Sequence, residues 1–142
     1  MREIRTLLEA EVIRRWADLY VAGKHKGYAK PNLDQYLGRD STWVEVEVPH
    51  DLYDADWNID DAYLSPAQLS RAERYAQMPG ALPPGMAGYQ GRRAKRVLRK
   101  LHVSDGNHRA YAAFLRGSPT ARFYVPQNEW RRFQQVQQEA QI

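Results

Sequence analysis

Hydrophobic residues near the start of the chain recur at helical spacing: Ile4, Leu7, Leu8, Val12, Trp16, Leu19 and Tyr20, with Gly23 stopping the run. This predicts a first helix over residues 4–20. Residues 23–41, GKHKGYAKPNLDQYLGRDS, are rich in Gly and Lys and predict a loop with one helical turn around Leu33 to Leu37. Then the period changes. In WVEVEVPH, Trp43, Glu45 and Glu47 alternate with Val44, Val46 and Val48, which predicts a half-buried strand ended by Pro49.

A second helix is announced by its own start signal: Ser65 as cap, Pro66 at the first helical position and Gln68 completing a capping box. Leu69, Ala72 and Ala76 supply its apolar stripe. MPGALPPGMAGYQG reads as a turn-rich connector with a short strand near Met86 to Tyr89. Ala94, Val97, Leu98 and Leu101 have helical spacing, yet VLRKLHVS also reads as a strand running into the Asp105-Gly106 turn. Strand over Val97 to Ser104 is the favoured reading. A helix over Asn107 to Arg116, a strand in TARFYVP and a last helix over Asn128 to Ala140, carrying Trp130, Phe133 and Val136, complete the chain. The fold class expected is α/β (α+β): a small mixed sheet with packed helices, Trp16 and Trp130 buried, and the N-terminal helix covering an open face.

Composition narrows the classes. A length of 142 residues suits one domain with a real core. No run of about 18 apolar residues exists, so no membrane span is expected. MREIRTLLEAEVIRRW lacks the apolar core of a secretory signal, and cysteine is absent, so the expected setting is cytoplasmic and thiol chemistry is removed. The net charge of +4 is unevenly spread. Asp51, Asp54, Asp56, Asp60 and Asp61 crowd residues 51–61, whereas Arg92, Arg93, Lys95, Arg96, Arg99 and Lys100 crowd residues 92–100. The basic stretch reads either as a solvated edge facing the acidic loop or as a guide for phosphates or nucleic acid through Arg93, Arg96 and Arg99.

The densest chemistry lies in HVSDGNHRAYAAFLRG, residues 102–117. A strand, a glycine and a helix start leave backbone N–H groups pointing forward, and such a terminus attracts phosphate. Gly106 lets the backbone approach a ligand without a Cβ. Arg109 offers a bidentate fork to phosphate oxygens, His108 one further donor and Asn107 a cap or an orienting amide. Asp105 repels phosphate, which leaves it the turn or a bridging metal. The bland alternative is a common Asp-Gly turn followed by a favoured N-cap residue.

VSDGNHRAYAAFLRG resembles the second conserved box of the ParB/sulfiredoxin-like superfamily, in which a Gly-x-x-Arg turn opens an Ala-rich helix; Gly106, His108, Arg109, Ala110, Ala112, Ala113 and Gly117 carry the likeness. VEVEVPHDLY, YLSPAQLSRAERYAQ, LPPGMAGY and ARFYVP follow in the superfamily's order of elements. The resemblance covers residues 43–126 as a ParB/sulfiredoxin-like domain, with residues 1–42 as an N-terminal extension and 127–142 as a C-terminal helix. It implies nucleotide phosphates, from a nucleoside triphosphate or diphosphate with or without Mg²⁺, contacted by Gly106, Asn107, His108 and Arg109, with Asp105 in the same cofactor site.

Departures from the family pattern matter as much. The reactive cysteine of sulfiredoxins would fall at Asn107, and with no cysteine that repair reaction is not expected. Sixteen residues follow Pro126, too few for the DNA-reading helices of a partition protein. Two arginines are usual in the partition-type box, where this chain has His108-Arg109. If chemistry is done, Asp51 and Glu47 are the candidate bases, with Glu45 beside them on a face that also reads as ordinary solvent side. His50 and His25 read as loop residues and His102 as core packing; no His/Asp spacing specifies a metal cage. Two functions stay open: a nucleotide-dependent kinase, nucleotidase or nuclease, and a non-catalytic module binding nucleic acid or protein through the same anion site.

Overall fold

The structure, a computed structural model, describes residues 1–20, 38–59 and 65–140. In chain order the elements are β1 (Arg2–Leu8), α1 (Glu9–Tyr20), β2 (Thr42–Pro49), β3 (Tyr53–Asp54), α2 (Asp56–Ile59), α3 (Pro66–Gln77), β4 (Gly85–Gly88), β5 (Arg92–Arg93), β6 (Arg96–Val97), β7 (Leu101–Asp105), α4 (Asn107–Leu115), β8 (Thr120–Pro126) and α5 (Gln127–Ala140). Six strands form one mixed sheet in the order β1-β2-β8-β4-β7-β3, and β5 and β6 form a separate hairpin. Only β4 with β8 and β3 with β7 run parallel within that sheet. The fold is mixed α+β.

Alternation in β2 decides the two layers. Val44, Val46 and Val48 join Phe123 and Val125 of β8, Ala110 and Ala113 of α4, and Trp130 and Phe133 of α5 in the larger core. On the opposite face, Trp43 packs with Leu7, Val12, Met86 and Tyr124, so α1 covers this side through Val12. α3 begins as its sequence requires, with Ser65 and Gln68 closing a reciprocal capping box and Pro66 at the first position.

Two expectations about the elements are corrected. Residues 2–8 are a strand, and the helix begins only at Glu9. Arg2 lies opposite Glu47 and Arg5 opposite Glu45, with ion pairs of 3.0 and 3.4 Å. Cross-strand charge pairing and ladder hydrogen bonds outweigh the helical spacing of so few apolar residues. Strand β7 begins at Leu101 rather than Val97, because Arg92 to Val97 fold into their own hairpin, with Ala94 at a φ of +57° in its turn. Glu45, read as solvent-facing, is 2% exposed and meets Arg5, Arg15 and Arg122 within 4.0 Å. Trp130 is buried as expected. The Gly23 stop, the turn at Leu33 to Leu37 and the side chain of Trp16 lie outside what is described, as do Asp60 and Asp61. Among the described residues, no helix is long and apolar enough to cross a membrane.

Gly106 adopts φ +86°, and a Cβ there would stand 2.7 Å from the Gly85 Cα; Gly117, at φ +79°, would meet nothing within 4 Å. Both positions resist an L side chain, but only the first is also sterically closed. Gly106→Ala is therefore expected to destabilise the protein by about 2–4 kcal/mol, and Gly117→Ala by about 1 kcal/mol. Urea unfolding of the two variants checks the difference; equal losses would mean that the crossing at Gly85 relaxes freely.

Candidate functional site at the strand–turn–helix junction

The DGNHR stretch stands where β7 ends and α4 begins. Asp105 closes the strand, Gly106 makes the left-handed turn, and Asn107 opens the helix. The first turn bond of α4 runs from the Ala110 N–H to the Gly106 carbonyl at 2.8 Å. The N–H groups of Asn107, His108 and Arg109 precede it and have no acceptor within the helix. They form the positive end of α4.

The side chains around this terminus do different work from that expected of them. Arg109 is 6% exposed and folds back on its own turn, donating to the Asp105 carboxylate at 3.0 Å and to the Pro84 carbonyl at 3.4 Å. Burial raises the Asp105 pKa above its ordinary 3.8, and the Arg109 guanidinium and the Gly106 N–H partly offset that. Asn107 does not cap α4. Its Oδ1 accepts the Asp56 N–H at 2.9 Å and so ties the junction to the start of α2. His108 turns toward α3, edge-on to the Tyr75 ring with centroids 6.5 Å apart. Gly106 is closed by the Gly85 backbone, so its missing Cβ serves the crossing of two chain segments rather than the approach of a ligand.

Two clefts flank the junction. One, of about 410 Å³, runs beside α4 and is lined by Glu47, Leu82, Arg109, Arg116 and Arg122 among others. Its guanidinium groups are engaged with backbone: Arg116 donates to the carbonyls of Tyr75, Ala76, Met78 and Gly80, and Arg122 to that of Leu82. The other, of about 430 Å³, is the more polar, and Arg39, Asp56, Gln90, His102, Ser104 and Asn107 line it. Donors outnumber the single carboxylate there, and Asn107 brings the helix terminus to its edge.

The catalytic candidates separate in space. Glu47 is half-buried, lines the first cleft beside Arg109, and pairs with Arg2 at 3.0 Å. Asp51 is exposed in the short 3₁₀ turn at His50–Leu52 and lines neither cleft. His50 is held at both ring nitrogens, Nε2 donating to the Ser118 carbonyl at 2.8 Å and Nδ1 accepting from the Tyr53 hydroxyl at 2.6 Å. Among the described residues, no three His, Asp or Glu side chains gather as a metal cage.

Arg39, Gln90, His102 and Ser104 escaped the sequence reading. His102 is exposed on the cleft, not packed in the core. The signal was present in β7, where buried Leu101 and Val103 alternate with His102 and Ser104. Arg39 and Gln90 reach the site from loops, which no periodicity marks. No protein-family model, curated protein or solved structure matches the chain.

Burial and the Arg71 charge hold the His108 pKa below its ordinary 6.5. The unfolded chain therefore binds more protons just below pH 6.5, and stability falls as the pH drops through that value toward the folded pKa. His108→Gln is expected to flatten this part of the stability–pH curve. Denaturant titrations at pH 7.5, 6.5 and 5.5 check it, and a C2–H resonance titrating above 6.5 would reverse the sign.

Proposed function

We propose that this chain is a ParB/sulfiredoxin-like domain that binds the phosphates of a nucleotide at the β7–α4 junction. One observation carries the reading: the N-terminus of α4 is fixed by the Asp105–Arg109 ion pair, its arginine buried, beside a polar cleft. The cleft volume of about 430 Å³ lies in the usual range for small-molecule sites. Backbone amides, not the Arg109 fork, are the principal phosphate donors in this reading, with Arg39, Ser104 and His102 as side-chain partners. Asp56 is the carboxylate on the same cleft, and Mg²⁺ arriving with a nucleotide would meet it there. Glu47 faces the other cleft, so a base for kinase, nucleotidase or nuclease chemistry has less support than binding does. The cysteine-free composition accords with a cytoplasmic setting.

Amide resonances give the direct test. Titrating ATP, ADP, CTP and GTP, each with and without Mg²⁺, is expected to shift the Gly106 to Arg109 amides for at least one nucleotide. At about 100 times its dissociation constant that nucleotide should add about 2.7 kcal/mol of stability. Ser104→Asp places a negative charge in the cleft and is expected to weaken binding tenfold or more with the fold intact. Unmoved junction amides, or an affinity indifferent to Ser104→Asp, would overturn the reading.

A further inference from the structure

The β5–β6 hairpin contributes no residue to the lining of either cleft. Arg92, Arg93, Lys95, Arg96 and Arg99 are all exposed on or beside it, and no acidic residue occurs from 91 to 100. Among the described residues, the acidic loop meets it only at its far end, where Lys100 lies 3.8 Å from Asp54. Among the described residues, the other five cations join no ion pair. Of the six, Lys100 alone pairs with the acidic loop among the described residues, and the other five face solvent.

The ribbon is firmly mounted. The buried Tyr89 hydroxyl donates to the Leu98 carbonyl at 2.6 Å and lies 3.2 Å from that of Gly91. The Leu98 N–H closes the stem on the Gly91 carbonyl at 2.9 Å, and Gln137 of α5 donates to the Arg99 carbonyl at 2.6 Å. Arg132 of α5 adds a cation beside the stem, its guanidinium carbon 5.9 Å from the Tyr89 ring centroid. Glu139, bonded to Gln135 at 3.3 Å, is the carboxylate on this side of α5 that Tyr89 senses, against Arg132, Arg92 and Arg99. Within the ribbon, Arg93 sits directly opposite Arg96, a like-charge pair that opposes strand pairing, and Ala94 takes a left-handed turn that favours glycine. Folding alone gives no reason for such charges at the tip.

We propose that this hairpin, with Arg132 at its base, is a docking surface for duplex nucleic acid, gripping phosphates without reading sequence. A two-stranded ribbon is narrow enough to enter a groove, and arginine is the cation best shaped for phosphate oxygens. Single-strand binding needs exposed aromatic platforms, and among the described residues this surface has none: the neighbouring Tyr89, Trp130 and Phe133 are buried. Insertion into a membrane needs a bulky apolar tip, whereas Val97 is the one large apolar side chain exposed on the ribbon.

Fluorescence anisotropy of the intact protein with a labelled 20-base-pair DNA duplex, across a salt series, tests this. Six phosphate contacts, one for each of the five free hairpin cations and Arg132, predict an affinity loss on the order of 2,000-fold between 50 and 200 mM salt. With Arg93, Arg96 and Arg99 replaced by Gln, about three contacts remain and the loss shrinks to about 40-fold. The matching Lys triple variant keeps the steep dependence, and circular dichroism and melting should show all three proteins equally folded. Nucleotide shifts at the junction should be unchanged in the Gln variant, so failure here is distinguishable from failure of the phosphate site. The inference is overturned by an absent duplex complex at 50 mM salt, by a salt slope the Gln variant does not change, by tighter binding to single strands, or by preferential capture on phosphatidylserine vesicles.

Discussion

Two backbones cross without side chains between them where β4 begins and β7 ends, and the surrounding architecture depends on that contact. A Cβ on Gly85 would stand 2.5 Å from the Asp105 carbonyl oxygen, and one on Gly106 2.7 Å from the Gly85 Cα. With the segments this close, the β4–β7 ladder slips by a residue between Met86 and Ala87. Gly106 then turns left-handed to launch α4 over the sheet. Arg109, one helical turn on, reaches both Asp105 on its own strand and Pro84, the residue before Gly85. A single guanidinium thus ties the strand end, the turn and the incoming connector. Its burial is why Arg109 is less a ligand-seeking side chain than a part of the junction, and its loss would leave the half-buried Asp105 carboxylate without its cation.

The connector from α3 to β4 extends the same logic. Residues 79–84 have no regular structure, so their carbonyls need partners from elsewhere. Arginines supply many of them. Arg116 gathers four carbonyls across the C-terminal end of α3 and the turn after it, Arg122 takes Leu82 and Arg109 takes Pro84. Five donors in a fixed fork suit that task better than a lysine would. Arg122 also lies 3.5 Å from Glu45, which carries the network through the sheet to β1. Three arginines thereby serve the backbone, and of these Arg109 alone is buried. The hairpin's arginines, by contrast, are all exposed.

How far this was legible depends on whether the signal was local. The capping box at Ser65, the alternation in β2 and the helix after Gly106 are written within a few residues, and each element stands where its pattern placed it. Residues 2–8 misled because three apolar positions fit a helix, while the deciding partners, Glu45 and Glu47, lie some 40 residues away. Asp105, Gly106 and Arg109 were recognisable as a group, and the structure keeps them together. Their inward orientation was not legible, since it follows from Gly85 and Pro84, which the sequence places over 20 residues earlier. Arg39 and Gln90 were hidden for the same reason: loop residues join a site through topology, not through period.

Strand β4 leads from the β7–α4 junction toward the basic hairpin. Its first residue, Gly85, presses on the junction, and the segment beyond its end passes Gln90, on the polar cleft, directly into Arg92 of the hairpin. The turn between them is short and bonded, the Arg92 N–H donating to the Gln90 carbonyl at 2.9 Å. Glu129 holds the strand from α5, accepting the Tyr89 N–H at 2.9 Å and facing Arg39 of the cleft at 3.4 Å. A displacement of Arg39 by bound phosphate would therefore alter the charge balance at Glu129, which accepts the backbone N–H of the tyrosine whose phenol clamps the hairpin stem. Phosphate at the junction and a polyanion on the ribbon would bias the same rigid segment, and any coupling between them must be reciprocal.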